Sequence, residues 1–295
     1  MNPPRVTIGV PVRNGEANLE NCLACLTGQS FRDIEILVSD NDSTDATRAI
    51  VQAAMRSDPR ITYVRQETNI GALANFAFTL KSARSPYFMW RAFDDLSNEA
   101  YVEHLAVALD AHPDAALAVP RSETLRVKLN RRRVRLPPEP GMGPGEGPAA
   151  ERWMIRRLQA GWFYGLFRRD QLIDLMEFVG KNYRHVWAWD FLVLTATALR
   201  HQIVGVSEAT FVHRLTGAPK QYSASADIGA RVDLARNYWQ VLNLLLEEKP
   251  LSGVQLMMHR ATLVWHMQRR VAKWRPLLYA ATGLKPGRLD STRAP

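Results

Sequence analysis

Cysteine is scarce here: two in 295 residues, too few to build a disulfide framework. Both fall in "NLENCLACLTGQ", where apolar residues recur at helical spacing. A redox pair would sit where a strand enters a helix, so Cys22 and Cys25 are expected to be small core residues. A zinc site lacks its second pair of ligands. Long apolar runs are also missing. None approaches the ~18–20 residues that span a bilayer, and the N-terminus carries no signal-peptide apolar region. A reduced, cytoplasmic setting is the default expectation. The GxxxxGK[ST] signature is absent, which excludes a P-loop enzyme. The first loop, "VPVRNGEAN", has a single glycine, which argues against a methyltransferase.

What is present is enough apolar residue, 46%, to bury a large core as one big domain or one domain with an appendage. The net charge of +9 is unevenly spread. Residues 1–120 hold 10 basic and 15 acidic groups (−5), 121–157 hold 10 and 4 (+6), 158–250 hold 10 and 9 (+1), and 251–295 hold 8 and 1 (+7). Two segments therefore supply the basic excess. They suit either an anionic partner surface or a solvated basic face.

Short β-rich runs alternate with amphipathic stretches over the first 120 residues. Strands are expected at 6–12, 34–39, 61–64, 87–93 and 115–120, with helices near 17–28, 44–56, 71–83 and 98–112. Ser43-Thr44-Asp45 offers capping chemistry to the second helix. The alternation predicts right-handed βαβ units and a mainly parallel α/β sheet. Such sheets bind ligands beyond the carboxyl ends of their strands, which puts "RNGE", "DNDSTD" and "FDD" on one edge. "PPEPGMGPGEGP" (137–148) is too rich in Pro and Gly for regular structure, and "RVKLNRRRVR" (126–135) reads as an exposed ribbon. A helix at 187–200, a strand at 202–206 and helices beyond 228 follow.

Asp94 and Asp95 end an apolar strand side by side. Adjacent like charges are unfavourable to bury unless paired or bound to a cation. Mg²⁺ or Mn²⁺ takes few protein carboxylates and shares its remaining positions with substrate phosphates. A helix cap is the competing reading of the pair.

"VPVRNGEANLENCLACLTGQSFRDIEILVSDNDSTDAT", "NIGALANFAF", "YFMWRAFDD", "YGLFRRDQL" and "AWDFLVL" occur in an order that resembles a family 2 glycosyltransferase of the GT-A fold over roughly residues 5–215. The resemblance implies an inverting enzyme that uses a nucleoside-diphosphate sugar, UDP-linked by expectation, and a hydroxyl acceptor, in cell-surface polysaccharide or glycolipid synthesis. It implies nucleotide-sugar contacts at Pro11, Val12, Asn14, Glu16, Asp40, Asn41, Asn69 and Asp94. Asn41 stands where many members have a second acid. The family's Asp-x-Asp falls on Ala92-Phe93-Asp94, lacking its first acid, so Asp94, Asp95 and His213 (with Arg214 as a phosphate contact instead) are the expected ligands of a divalent cation. Asp190 matches the general base. Trp187, Trp189 and Arg168 are placed on the acceptor side.

The resemblance sets an expected GT-A domain over 1–220, to which composition and pattern add a flexible loop at 137–150 and a basic helical extension over 221–295. That extension is read either as a foot on an anionic inner membrane face, making the protein peripheral, or as an ordinary helical cap; an oligomer stays open and nucleic acid is not expected. The alternatives are a nucleotidyltransferase with similar sheet and metal logic, and a catalytically inactive homologue acting as a basic membrane-binding module.

Overall fold

The computed structural model describes residues 3–138, 146–215 and 227–271. The chain opens with β1 (Val6–Val12), α1 (Leu19–Thr27), β2 (Ile34–Asp40), α2 (Thr47–Ser57), β3 (Ile61–Arg65), α3 (Ala72–Ser82) and β4 (Tyr87–Trp90). Each boundary falls within a few residues of the periodicity. All seven β1 side chains are buried, as expected for a strand covered on both faces. The second part comprises β5 (Leu96–Ser97), α4 (Tyr101–Ala111), β6 (Ala115–Arg126), β7 (Arg131–Arg135), α5 (Pro148–Arg157), β8 (Leu166–Arg168), α6 (Arg169–Asn182), α7 (Trp189–Arg200) and β9 (Gln202–Leu215). Helices α8 (Ile228–Glu247) and α9 (Gly253–Arg270) complete the described chain.

The sheet runs β3-β2-β1-β4-β8-β6-β9-β5, with β7 paired to the outside of this path on β6. Strands β3, β2, β1 and β4 are parallel, and β9 is parallel to β6. Strand β8 runs antiparallel to both β4 and β6, and β5 and β7 are antiparallel to their partners. The parallel sheet therefore forms the first hundred residues, and antiparallel additions extend it. The exposed ribbon expected at 126–135 is the β6–β7 hairpin.

Strand β4 divides the interior with its period of two. Phe88 and Trp90 enter the core shared with α6, α7 and α8, whereas Tyr87 and Met89 enter the core shared with α1 and α4. Trp90 stacks on Phe163 (4.7 Å, 10°) and its indole N–H donates to Phe76 O and Thr79 Oγ1. Cys22 is a core residue, and burial pushes its thiol up to about 12, which leaves it protonated and unreactive.

Helices α8 and α9 add Leu234, Tyr238, Leu242, Leu245 and Leu263 to the Phe88–Trp90 core. They share that interior rather than building one of their own. The expected domain boundary at 220 and most of the Pro/Gly loop lie outside the described residues, as do residues 272–283 of the expected C-terminal helical stretch. Among the described residues no helix is long and apolar enough to cross a membrane.

Candidate active site

The loops after β1 and β2 hold each other at the carboxyl edge of the sheet. Asn14 N–H donates to Ser43 Oγ, Gly15 N–H to Thr47 Oγ1 and Glu16 N–H to Asp45 Oδ2. In return Thr44 N–H donates to Asn14 Oδ1 and Ala46 N–H to Glu16 Oε2. Pro11 and Val12 are buried at the strand end, and Val12 O accepts from Asn41 N. The N-cap of α2 is Ala46, one residue after the stretch expected to cap it, and carries no side-chain cap bond; Asp45, just before it, accepts from Thr47 N through Oδ1. Asn14 and Asp42 take left-handed φ values of 53° and 58°, uncommon for residues other than glycine and typical of functional loops.

Asp40 corrects one expectation. It is fully buried, its Oδ1 accepts from Ser43 N and its Oδ2 from the Tyr63 hydroxyl. Both oxygens are thus occupied in shaping the turn, and Asp40 is a positioning residue. Asn41 is the residue that reaches the neighbouring loop. Its Nδ2 donates to Asn69 Oδ1 (2.8 Å) and its Oδ1 accepts from Ile70 N (2.9 Å). Below them Asn75 clasps Ser39 through two hydrogen bonds; the sequence reading missed this clasp, and one buried Asn inside an amphipathic helix was its signal.

The two aspartates after β4 differ in kind. Asp95 is fully buried, its Oδ1 accepting from Arg214 N (2.9 Å) and its Oδ2 lying 3.2 Å from His213 Nδ1. Arg91 is buried too, with its guanidinium carbon 5.0 Å from the Tyr101 ring and 5.3 Å from the Phe211 ring. It donates to Ser97 Oγ, while its Nε and Nη1 have no hydrogen-bond partner. A positive charge inside the strand's apolar run was the sequence signal for it, and it offsets the acids above. Asp95 is therefore a brace between the β4–β5 loop and β9, with both carboxylate oxygens engaged. Asp94 is half-buried, and burial together with the adjacent Asp95 charge raises its carboxyl above the usual range.

This asymmetry suits a cation. Asp95 is compensated within the protein, Asp94 lacks an equivalent partner, and His213 is fixed through Nδ1 by a carboxylate in the manner of metal-binding histidines. Among the described residues no three His, Cys, Asp or Glu side chains form a ready cluster. The residues present therefore fit an ion that brings most of its coordination with it, as Mg²⁺ and Mn²⁺ do with phosphates.

Asp190 lies in the first turn of α7, after Ala188 in a left-handed conformation (φ 65°). Apolar surroundings raise its carboxyl to about 6, against the opposing pull of the Phe191 and Asp190 amides. Tyr164 lies within reach of the charges of both Asp190 and Asp94. Burial, then the charges of Asp95, Asp190 and Asp94, hold its phenol well above the ordinary tyrosine range. Its ring stacks on Phe211 at 4.9 Å. The motif "YGLFRRDQL" contains Tyr164 without marking a role for it; an aromatic preceding Gly165 was the sole signal.

Two acceptor-side expectations are overturned. Arg168 pairs across from Tyr87, at the amino end of β4, and donates to the carbonyls of Ala115, Leu109 and His112. The antiparallel course of β8 carries it to the edge opposite the crevice. Trp189 is 8% exposed and meets Phe163 edge-on at 4.8 Å, so it is a core residue. Trp187 remains half-buried, with its indole Nε1 unpartnered.

Glycosyltransferase GlyA of Streptococcus pneumoniae is 36% identical over 101 residues, covering 34% of this chain and 14% of that protein. The GalNAc(5)-diNAcBac-PP-undecaprenol beta-1,3-glucosyltransferase of Campylobacter jejuni is 38% identical over 60 residues, covering 20% of this chain and 19% of its own. The chain thus spans less than a fifth of either relative. Among solved structures, S. aureus TarS 1–349 in complex with UDP-GlcNAc aligns with a TM-score of 0.68 at 19% identity, over 90% of this chain and 73% of TarS 1–349. Mannosyltransferase PcManGT from Pyrobaculum calidifontis, in complex with GDP-Man and Mn²⁺, aligns at 0.56 and 17% identity, over 97% and 77%. These likenesses agree with a GT-A-type α/β sheet. The profile described as "Glycosyl transferase family 2" matches residues 7–170, more than half of the sequence and every strand from β1 to β8. By that match the chain belongs to glycosyl transferase family 2.

Proposed function

We propose that the protein transfers a glycosyl group from a nucleoside-diphosphate sugar to a hydroxyl acceptor in one inverting displacement. The observation that carries this reading is Asp190: a carboxylate set at a helix start and raised to about 6 by apolar surroundings, whose charge and that of Asp94 both act on the phenol of Tyr164. A hydroxyl attacking the anomeric carbon must lose its proton, and Asp190 accepts it. Exposed Asn69 faces the nucleobase with its amide, and buried Asn41, whose Oδ1 and Nδ2 are both engaged by the 69–70 loop, holds that loop in place. The Asn14–Glu16 loop borders the nucleotide, Asp94 addresses the diphosphate, and Trp187 borders the acceptor. A divalent cation, when bound, screens the charge that builds on the departing diphosphate, and Asp94 with His213 would hold it. The domain reading becomes one catalytic body to which α8 and α9 contribute core. UDP- and GDP-linked sugars are both candidate donors, since the two aligned structures hold one of each. An acceptor on a lipid-linked or surface glycan accords with the Campylobacter relative's name.

Two measurements test this. A cognate donor with Mn²⁺ stabilises the fold by mass action, by about 2.7 kcal/mol at a hundred times its dissociation constant. A thermal-shift panel of UDP- and GDP-sugars should therefore single out one donor; a panel with no shift, with or without Mn²⁺, overturns the reading. The pH dependence should follow the base. At a saturating cation, kcat/KM is expected to fall tenfold per pH unit below about 6, as Asp190 takes up a proton. A profile flat from pH 7 to 4.5 would remove Asp190 from this role.

A further inference from the structure

The β6–β7 ribbon carries like charges in register. Arg126 stands opposite Arg131, and Arg133 and Arg135 follow at two-residue steps on the same face. Directly opposed like charges destabilise a strand pair. The ribbon's one acid, Glu123, belongs to the other face, where it binds Arg121 and Arg132. Arg126, Lys128, Arg131 and Arg133 are exposed, as are the apolar Val127, Leu129 and Leu136.

The ribbon meets the end of α9 at Arg270, which follows His266 and Met267 on the helix's inner side. Burial lowers the Arg270 guanidinium, and the charges acting on it, from Arg135, Arg269 and Arg133, are all positive. The joint is physical: Gln159 Nε2 donates to Leu136 O, and Arg270 donates to Leu158 O, so consecutive residues tie the ribbon to the helix.

Helix α9 is apolar on two sides. Leu263, His266 and Met267 face the core. At 100° per residue, Val254, Met257, Met258, Ala261, Val264 and Trp265 share the opposite, solvent-facing side. Val254 and Met257 are 66% and 65% exposed. Arg260 and Arg269 flank the stripe, and Arg269 lies over the Trp265 ring at 4.9 Å.

We propose that the arginine face of the β6–β7 ribbon and the outer side of α9 form one docking surface for an anionic phospholipid bilayer. Met257, Met258 and Trp265 enter the headgroup boundary while the arginines meet lipid phosphates. The alternatives use half of the surface. Nucleic acid would engage the arginines and leave the apolar stripe in water. A second copy would cover the stripe but bring arginine faces together. The proposal is independent of glycosyl transfer, because vesicle binding needs neither donor nor acceptor.

Sedimentation with vesicles tests it on the full chain. The protein should bind phosphatidylglycerol–phosphatidylcholine vesicles and leave phosphatidylcholine vesicles unbound, with binding weakening steeply as salt rises. Arg131→Glu with Arg133→Glu should lower partitioning by about a hundredfold or more, and lysines at both positions should retain it. Met257→Ser with Trp265→Ser should weaken binding at every salt concentration. All four residues are exposed, so melting curves will show whether the variants fold like the parent. The proposal is overturned if either variant sediments like the parent, if the parent ignores anionic vesicles, or if it binds duplex DNA in their place. It is equally overturned if the parent is a dimer that the serine variant disperses.

Discussion

Replacing Asp190 by asparagine is expected to lower kcat by about 10²–10⁴-fold, the range associated with loss of a positioned proton acceptor. Donor affinity should stay unchanged, because Asn41, Asn69 and Asp94 are untouched. The substitution should also stabilise the fold. The Asp190 carboxyl is raised to about 6 when folded, against ~3.9 in an unfolded chain. A carboxyl raised on folding binds its proton more tightly in the native state, so its ionisation removes stability as pH climbs from about 4 to 6. At neutral pH the penalty approaches about 3 kcal/mol, reduced by the residue's partial contact with solvent. An asparagine at this position cannot ionise, so the variant's melting temperature should exceed the parent's at about pH 8 and match it near pH 4. An inactive variant with lower stability at the alkaline end would make Asp190 a structural cap; a fully active one would place the base elsewhere.

Asp94→Ala is the second large effect. Transfer should fall by at least about 10²-fold, and here donor binding should change too. In the parent, Mn²⁺ should strengthen binding of the nucleoside diphosphate, because Asp94 is the carboxylate its neighbours leave uncompensated. In the variant that Mn²⁺ increment should vanish. Calorimetric titration with UDP or GDP, with and without Mn²⁺, checks this directly. If the variant keeps the increment, the cation is held by other groups. Asp95→Asn separates the two aspartates: it should lower the melting temperature, since the imidazole of His213 and the amide of Arg214 lose a charged partner.

Most of the first hundred residues were legible because local period and local chemistry coincide there. Strand β1 is an unbroken buried run, β2 ends in polar turn residues, and α2 begins where Asp45 meets Thr47. What was hidden depends on distant partners. Asp40 is an expected nucleotide-sugar contact in sequence terms, but Tyr63, from the next strand, takes its second oxygen. Asp94 and Asp95 are identical in sequence terms, and β9, more than a hundred residues later, makes one a brace and leaves the other uncompensated. Arg168 was misplaced because nothing within "GLFRRD" reveals that its strand runs backwards. The resemblance places Trp189 on the acceptor side, but Phe76, Trp90 and Phe163 surround it. Asp190, by contrast, follows Trp187 and Trp189 in the motif that marked it, and it stands in the first turn of the helix expected there.

The order of parts along the chain has a consequence for how such enzymes diversify. On the proposed reading, the loops assigned to the donor, 11–16, 40–45, 69–71 and 94, come from the first hundred residues, whereas Tyr164, Trp187, Asp190 and the cation-side His213 come from later segments. Recombination between two homologues near α4 would exchange the latter set and spare the former. Under the proposed reading, a lineage can therefore change what it decorates while retaining the activated sugar it draws on, provided the incoming half keeps a histidine at 213.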